Sequence, residues 1–417
     1  MNEQDWSYPY ELFDVYGIEL EYMIVDRSTL DVRPVCDALF QAATGSDVSE
    51  VTPDGESGIV SWSNELALHV VELKAAKPVA TLDGLAEHFQ KNVVCVNTLL
   101  EPFGCRLLPG GMHPWMDPSR ETELWPHEYN DIYKTYDRIF NCNGHGWSNL
   151  QSTHINLPFA NDEQFGRLHA AIRLLLSVLP ALAASSPIVD GKATGIADYR
   201  LEVYRTNAAR IPMMTGLVIP EAVFTREVYD REILGRLYAE LAPFDPQGVL
   251  FEEFANARGA IARFDRGAIE IRVLDIQECP QADIALAALI VEVLRALVSE
   301  RWMSYEDQKL VATEMLHGVF VDTIFSAENC QLGERALLKA FGISRPTLSA
   351  GELWLKLLDD VLPSHPVWTP LLRRVLNAGS LATRIARALP SAPGRADLVQ
   401  VYGELADCLR DGRLFRA

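Results

Sequence analysis

The residues of this sequence that are best suited to do chemistry are polar side chains spaced two apart within apolar segments. Residues 17–21, 152–156 and 267–272 share this alternation, with an Ile or Leu inside each polar pair. The pairs are Glu19 with Glu21, His154 with Asn156, and Glu270 with Arg272. Because successive side chains of a strand point to opposite faces, each pair would lie on one face and the apolar residues on the other. The pattern predicts one sheet with an acidic polar face and an apolar back.

A fourth segment, residues 64–78, adds the carboxylates of Glu65 and Glu72. In one straight strand these two side chains would face opposite sides, so a bulge or bend is expected if both serve one site. Carboxylates gathered in a partly dry cleft repel one another, and protonation or bound cations must relieve that repulsion. An oxygen-rich site with one imidazole suits Mg²⁺ or Mn²⁺ and argues against a thiolate zinc site.

Arginines near these segments could complete such a site. An acidic metal site that acts on phosphate and carboxylate groups needs fixed, forked cations, and arginine meets this need better than lysine. Arg200, Arg263 and Arg272 are the candidates. The glycine-rich loop at 109–115 matches neither a phosphate-binding P-loop nor a dinucleotide fingerprint.

The composition excludes several classes of function. The chain has 417 residues, of which 48% are hydrophobic, as is ordinary for a globular protein. Its formal net charge of −20 repels nucleic acid and anionic membrane surfaces, so neither is an expected partner. Residues 1–11 lack a secretory signal pattern, and the seven cysteines have no paired spacing. We therefore expect a cytoplasmic protein with reduced thiols.

Three amphipathic segments predict long helices that cover the apolar back of the sheet. They run over residues 83–103, 161–179 and about 281–301. Strands combined with such helices indicate an α+β layer arrangement.

After Trp302 the strand signals fade, and helical segments separated by turn residues follow to the end of the chain. We therefore predict a catalytic domain at residues 1–302 and a C-terminal helical segment at 303–417. Symmetric homo-oligomers are the commonest assemblies of soluble proteins. If this chain assembles, a homo-oligomer is therefore the general expectation.

Several motifs follow one another in a fixed order over roughly residues 13–300. They are GIELEY at 17–22, Glu65 with VEL at 71–73, GMHPW at 111–115, HINL at 154–157, SSPI at 185–188 with DGKATG at 190–195, and GAIEIRVLD at 267–275. This ordered set resembles the carboxylate–amine ligase branch of the glutamate-cysteine ligase family, type two, within the glutamine synthetase-like superfamily.

The resemblance implies a curved antiparallel sheet that holds ATP and Mg²⁺, or Mn²⁺ in its place, on a concave active-site face. It also implies a reaction in which a small-molecule carboxylate attacks the γ-phosphate of ATP to give an acyl phosphate, which an amine then captures. The metal ligands carried over by motif position are Glu19, Glu21, Glu65, Glu72, His154 and Glu270. Glu270 and Arg272 are the predicted catalytic residues, and Arg200, Arg263, Arg272 and Asn156 are the predicted contacts to ATP or substrate.

This chain departs from the resembled pattern at Asn156, where a second histidine is usual, and at Lys74 and Lys77. The residues leave three alternatives open. One is a non-catalytic nucleotide-binding or scaffold protein of the same fold, the second is a kinase that phosphorylates a small molecule, and the third, less favoured, is a metal-dependent hydrolase. Glu270 and Arg272 could also form a same-face ion pair, which competes with their metal and phosphate roles.

Overall fold

An open antiparallel sheet of eight strands lies at the centre of the computed structural model, which describes residues 7–251 and 255–416. The described chain contains twelve strands in all, which are β1 (Gly17–Asp26), β2 (Glu50–Val51), β3 (Val60–Asn64), β4 (Val70–Ala75), β5 (Cys105–Leu108), β6 (Ser152–Pro158), β7 (Ile188–Val189), β8 (Lys192–Ala193), β9 (Ala260–Arg263), β10 (Ala268–Asp275), β11 (Gln331–Leu332) and β12 (Leu348–Ser349). Seven of them follow the order β2-β3-β4-β1-β6-β10-β9, and β5 pairs with β1. Strands β7 with β8 and β11 with β12 form two small separate ladders.

Helices make up most of the remaining described chain. The α-helices are α1 (Cys36–Thr44), α2 (Leu85–Leu100), α3 (Pro118–Glu121), α4 (Asn130–Phe140), α5 (His145–Ser148), α6 (Asp162–Leu176), α7 (Pro180–Ala183), α8 (Tyr199–Asn207), α9 (Arg226–Tyr229), α10 (Gly235–Leu241), α11 (Pro280–Val298), α12 (Tyr305–Lys309), α13 (Thr313–Ser326), α14 (Arg335–Ala340), α15 (Ala350–Val361), α16 (Trp368–Ala378), α17 (Leu381–Ala388) and α18 (Arg395–Asp411). Short 3₁₀ turns occupy Gly55–Ser57, Glu101–Phe103, Pro212–Met214 and Ala327–Asn329, and a π-helical turn occupies Asp230–Leu234.

The register of the sheet places the predicted polar pairs in rows on one face. Glu19 of β1 lies opposite Lys74 on β4 and His154 on β6, and Glu21 lies opposite Glu72 on β4. Directly opposite residues of an antiparallel pair project to the same face, so these side chains are neighbours. The acidic face predicted from the spacing is confirmed.

The other face of the sheet is apolar, as predicted. Ile18, Leu20, Ile155 and Ile271 are buried there in one core with residues of α2, α6 and α11. This core holds the largest continuous apolar surface of the described chain, and it fixes the position of the strands that carry the polar rows. The prediction of an α+β fold with helices on the back of an antiparallel sheet is confirmed.

The predicted helices are present with small differences at their ends. The first is α2 followed by the 3₁₀ turn Glu101–Phe103, and it ends at Gly104, which has a left-handed φ of 66°. The second begins after Asn161, whose side chain accepts a hydrogen bond from the backbone N–H of Gln164 at 3.1 Å. The third is α11, which starts one residue earlier than predicted and ends at Val298.

Residues 64–78 do not form one strand, which corrects the expectation of a bulged strand. β3 ends at Asn64 and β4 begins at Val70, so Glu65 lies in the connection between two antiparallel neighbours. A change of strand, rather than a bulge, brings Glu65 to the face that carries Glu72.

The C-terminal helices pack on both sides of the sheet-bearing part of the chain. Residues of α13, α15 and α16 join the main core on the back of the sheet. On the polar-face side of β1, Met23 and Val25 continue the row of Glu19 and Glu21, and α17 and α18 cover them. The boundary at residue 302 remains a prediction. In 7–251 and 255–416, no helix is long and apolar enough to cross a lipid bilayer.

A buried acid on the back of the sheet should make stability depend on pH. Asp283 of α11 accepts hydrogen bonds from Thr153 Oγ1 at 2.7 Å and from the backbone N–H of Gln277 at 2.9 Å. Burial raises the pKa of Asp283 to about 8, against the hydrogen bonds, which lower it. The folded protein therefore binds a proton that the unfolded chain releases near pH 4, and stability falls between about pH 4 and pH 8, by up to ~1.4 kcal/mol per pH unit.

We predict that Asp283→Asn removes this fall in stability with pH. The unfolding temperature of the variant, relative to that of the wild type, should therefore rise steadily from pH 5 to pH 8. Thermal unfolding across this range checks the result, with the exposed Asp54→Asn as the control. Parallel curves for the wild type and Asp283→Asn would contradict it.

Candidate active site

A cavity of about 970 Å³ lies over the polar face of the sheet. Its walls come from the sheet, from α4, α5 and α8, and from the loops around them. Every site residue predicted from the sequence lines it: Glu19, Glu21, Glu65, Glu72, His154, Asn156, Arg200, Arg263, Glu270 and Arg272. The fold thus brings together side chains that are up to 253 positions apart in the sequence.

Glu19 and His154 form the centre of the first group. His154 Nδ1 lies 2.8 Å from Glu19 Oε2, and Asn156 Nδ2 donates to Glu19 Oε1 at 3.0 Å. Burial opposes charge on both partners, but the hydrogen bond between them lowers the pKa of Glu19 and raises the pKa of His154, helped by the charge of Glu21. The two side chains behave as an ion pair with one side open to the cavity.

Glu21 is held by a residue that sequence reasoning missed. The backbone N–H and the hydroxyl of Ser152 donate to Glu21 Oε2 at 2.6 and 3.0 Å. The Ser152 hydroxyl also lies 2.9 Å from His154 Nε2. Ser152 stands two residues before His154 on β6, so the same alternation that indicated His154 could have identified it.

Glu65 and Glu72 carry the least compensated charge of the site. Ser63 donates to Glu72 at 2.7 Å, and Lys74 Nζ lies 3.8 Å from the same Glu72 oxygen. For Glu65, no described residue donates a hydrogen bond to its carboxylate. Burial first, and then the neighbouring carboxylates, raise the pKa of Glu65 and of Glu72 well above their ordinary values.

Two sets of side chains could each hold a metal ion. The ligand atoms of Glu19, Glu72 and His154 lie within 4.8 Å of one another, and so do those of Glu21, Glu65 and Glu72. The donors are carboxylate oxygens with a single imidazole, which suits a hard divalent cation. The uncompensated carboxylate of Glu65 fits a cation as the missing partner, since a cation would remove the repulsion that protonation otherwise relieves.

Glu270 lies in the cavity but is engaged by two arginines. Arg263 Nε lies 2.9 Å from Glu270 Oε2, and Arg272 Nη2 and Nε lie 2.5 and 2.9 Å from Oε1. Burial alone would raise the pKa of Glu270, yet Arg272 and Arg263 hold it well below its ordinary value. The same-face ion pair that the sequence left open is therefore present, and Glu270 belongs to neither three-ligand set above. Its metal role remains a prediction.

Arg200 reaches the cavity from a buried polar cluster. Its Nε donates to Asp275 Oδ1 at 2.5 Å, and Asp275 Oδ2 also accepts from the hydroxyl of Ser186 and the backbone N–H of Ser185, both at 2.8 Å. A Cβ on Gly111 would meet the Asp275 carboxylate at 2.4 Å, so only glycine fits there. Three motifs that are remote in sequence thus hold one arginine at the wall of the cavity.

An aromatic wall faces the acidic side chains and was not predicted. Tyr133 and Tyr136 of α4 line the cavity with Trp147 of α5. Asn64 Nδ2 donates to the Tyr133 hydroxyl at 2.9 Å, which ties α4 to the end of β3. Aromatic residues on a helix predict only packing, and the sequence carries no further signal that would identify this wall.

Comparison with known proteins gives a family match over most of the chain. Residues 15–318 match the family model for glutamate-cysteine ligase family 2. An uncharacterised protein of Archaeoglobus fulgidus is 32% identical over 96% of this chain and 99% of its own length. A Paracoccus denitrificans protein provisionally named glutamate–cysteine ligase 2 is 26% identical over 90% of this chain and 91% of its own length.

Solved structures share the fold at low sequence identity. A glutamate–cysteine ligase of Francisella tularensis, solved in complex with AMP, aligns with a TM-score of 0.58 and 12% identity over 95% of this chain and 89% of that one. A bifunctional glutathione synthetase of Pasteurella multocida aligns with a TM-score of 0.61 and 13% identity over 96% of this chain. This chain spans 53% of that larger protein.

The uncompensated Glu65 leads to a prediction about stability. Since the folded-state pKa of Glu65 is raised, its repulsive cost is absent below about pH 4 and grows as the pH rises. We expect Glu65→Gln to raise the unfolding temperature of the metal-free protein at pH 8 by about 2 °C and to abolish the further rise that Mg²⁺ gives the wild type.

Thermal unfolding with and without Mg²⁺ tests this prediction. A concentration of about 5 mM is on the order of the dissociation constant of a weak site for a divalent cation. The control is Glu101→Gln, because Glu101 is an exposed carboxylate that pairs with Arg27 on the surface. A Glu65→Gln protein that is less stable without metal, yet stabilised by Mg²⁺ like the wild type, would show that Glu65 is not a ligand.

Proposed function

This chain belongs to glutamate-cysteine ligase family 2, and on that premise we propose that it joins a small-molecule carboxylate to an amine with ATP as co-substrate. The observation that carries the proposal is the convergence of the predicted carboxylates, the His154 imidazole and the three predicted arginines on one cavity of about 970 Å³. A cavity of this size accommodates a nucleotide and leaves room for small reactants. Its charge pattern suits a reaction in which several anions must be brought together.

We propose that the acidic groups bind divalent cations. Glu19, Glu72 and His154 would hold one cation, and Glu21, Glu65 and Glu72 would hold another. When bound, Mg²⁺ neutralises and orients phosphate oxygens, which lowers the barrier to attack by another anion. Ser63 and Ser152 keep Glu72 and Glu21 in place through hydrogen bonds, so the ligand atoms are positioned before the cations arrive.

The arginines are proposed to bind the anionic groups of the reactants. Glu270 fixes Arg263 and Arg272 in place, and Asp275 fixes Arg200, so little side-chain entropy is lost when an anion binds. Arginine presents planar, forked donors that match carboxylate and phosphate geometry. We assign Arg272 and Arg263 to phosphate oxygens and Arg200 to a substrate carboxylate or phosphate.

The proposed reaction has two steps. A carboxylate oxygen of the acid attacks the γ-phosphorus of ATP, the bond from that phosphorus to the bridging oxygen breaks, and ADP leaves. The amine nitrogen then attacks the acyl carbon, phosphate leaves with the former carboxylate oxygen, and the nitrogen releases one proton. Aligning these groups and screening their charges contribute most of the rate in such reactions.

The test is to screen pairs of amino acids and related acids and amines with ATP and Mg²⁺, following ADP, phosphate and condensed product. We expect full turnover only when the right acid and amine are both present. Glu21→Gln and Glu270→Gln should each lower the rate at least about hundredfold, since Glu21 is a proposed cation ligand and Glu270 holds the arginines proposed to bind phosphate. The matched control is Glu101→Gln, because Glu101 is an exposed carboxylate that does not line the cavity.

The outcomes separate the alternatives. Phosphate release that is unaffected by Glu21→Gln and Glu270→Gln would contradict the proposal. A stable phosphorylated product without condensation would identify a kinase, and tight ATP binding without turnover across the whole panel would identify a non-catalytic member of the family.

A further inference from the structure

Lys74 is a cation that stands inside the predicted metal site. It lies on β4 two residues after Glu72, and directly opposite Glu19 on β1 and Ser61 on β3. Its side chain is 26% exposed and lines the cavity. A permanent positive charge in this position must affect any divalent ion that uses the same carboxylates.

The ammonium of Lys74 is shared between two carboxylates. Nζ lies 3.1 Å from Glu50 Oε2 and 3.8 Å from Glu72 Oε1. The small side chain of Ser61, opposite Lys74, lets the lysine cross β3 and reach Glu50 on β2. Glu50 is 55% exposed at the rim, whereas Glu72 is 9% exposed and is common to both three-ligand sets.

We propose that Lys74 is a resident counter-cation of Glu72, which competes with a divalent ion for this carboxylate and moves fully to Glu50 when the ion binds. Glu50 is then the alternative partner that keeps the free-energy cost of moving Lys74 small, because Lys74 keeps one ion pair in both states. Lys74 and Glu50 together set how tightly the cavity holds a divalent cation in the absence of nucleotide. This inference rests on the metal site of the proposed function, but it is tested without any assay of turnover.

The proposal predicts effects of opposite sign at the two ends of one ion pair. Removing the competitor in Lys74→Met should raise the affinity for Mn²⁺ by about tenfold, while Lys74→Arg, which keeps the charge, should stay within about threefold of the wild type. Glu50→Gln removes the alternative partner, leaves Lys74 on Glu72, and should lower the affinity by about threefold.

The double variant separates competition from a general loss of charge. In Lys74→Met, the effect of adding Glu50→Gln should nearly vanish, because no lysine remains to be relocated. Two single variants serve as matched controls and should leave the affinity nearly unchanged. Lys77→Met removes a cation that lines the same cavity, and Glu56→Gln removes an exposed carboxylate from the 3₁₀ turn Gly55–Ser57.

The measurement is titration of the full chain with Mn²⁺ alone at pH 7.5, following free Mn²⁺ by electron paramagnetic resonance. Lys74→Met that binds Mn²⁺ no more tightly than the wild type, or Glu50→Gln that acts equally in both backgrounds, would overturn the proposal. Glu72→Gln distinguishes an error in the metal site from an error in the competition by Lys74 alone. If it leaves Mn²⁺ binding unchanged, the metal site itself is wrong, and if it weakens binding while Lys74→Met does nothing, only the competition is wrong.

Discussion

The repulsion between carboxylates that share one partly dry cavity is the constraint on which the rest of this structure depends. Glu19, Glu21, Glu65 and Glu72 are brought side by side, and each additional negative charge raises the free energy of the others. A chain without a function for these groups would gain stability from neutral side chains at the same positions. Their presence together indicates a site in which folding stability is reduced in favour of binding cations and anions.

The sheet meets this constraint by placing a different compensating group beside almost every acid. His154 pairs with Glu19, Ser152 with Glu21, and two arginines with Glu270. These partners come from the same strand or from neighbouring strands at fixed register, so they need no flexible loop to reach the acids. Glu65 is the exception, because it lies in the connection between β3 and β4, and no residue in 7–251 or 255–416 donates a hydrogen bond to its carboxylate. The same geometry therefore stabilises most of the acidic face and leaves one position for a ligand to satisfy.

The sequence predicted the polar face well because strand alternation is a local property. Glu19, His154 and Glu270 each stand in a short segment whose period of two is visible without the fold. Ordered motifs extended this to Glu65, although its segment was expected to be one bent strand rather than two. The aromatic wall from α4 and the anchoring of Arg200 by Asp275 could not be predicted, since both depend on which remote elements pack together. Whether Glu270 binds a metal or only its arginines also depends on distances that spacing alone does not give.

The packing of α17 and α18 on Met23 and Val25 has a consequence for biosynthesis. β1 is synthesised long before α17 and α18, the helices that cover the far end of its polar-face side. Until α17 and α18 have been made, they cannot shield this strip of apolar surface from other chains and chaperones. Nascent chains that stall before α17 and α18 are made would therefore leave Met23 and Val25 of β1 without these helices as cover.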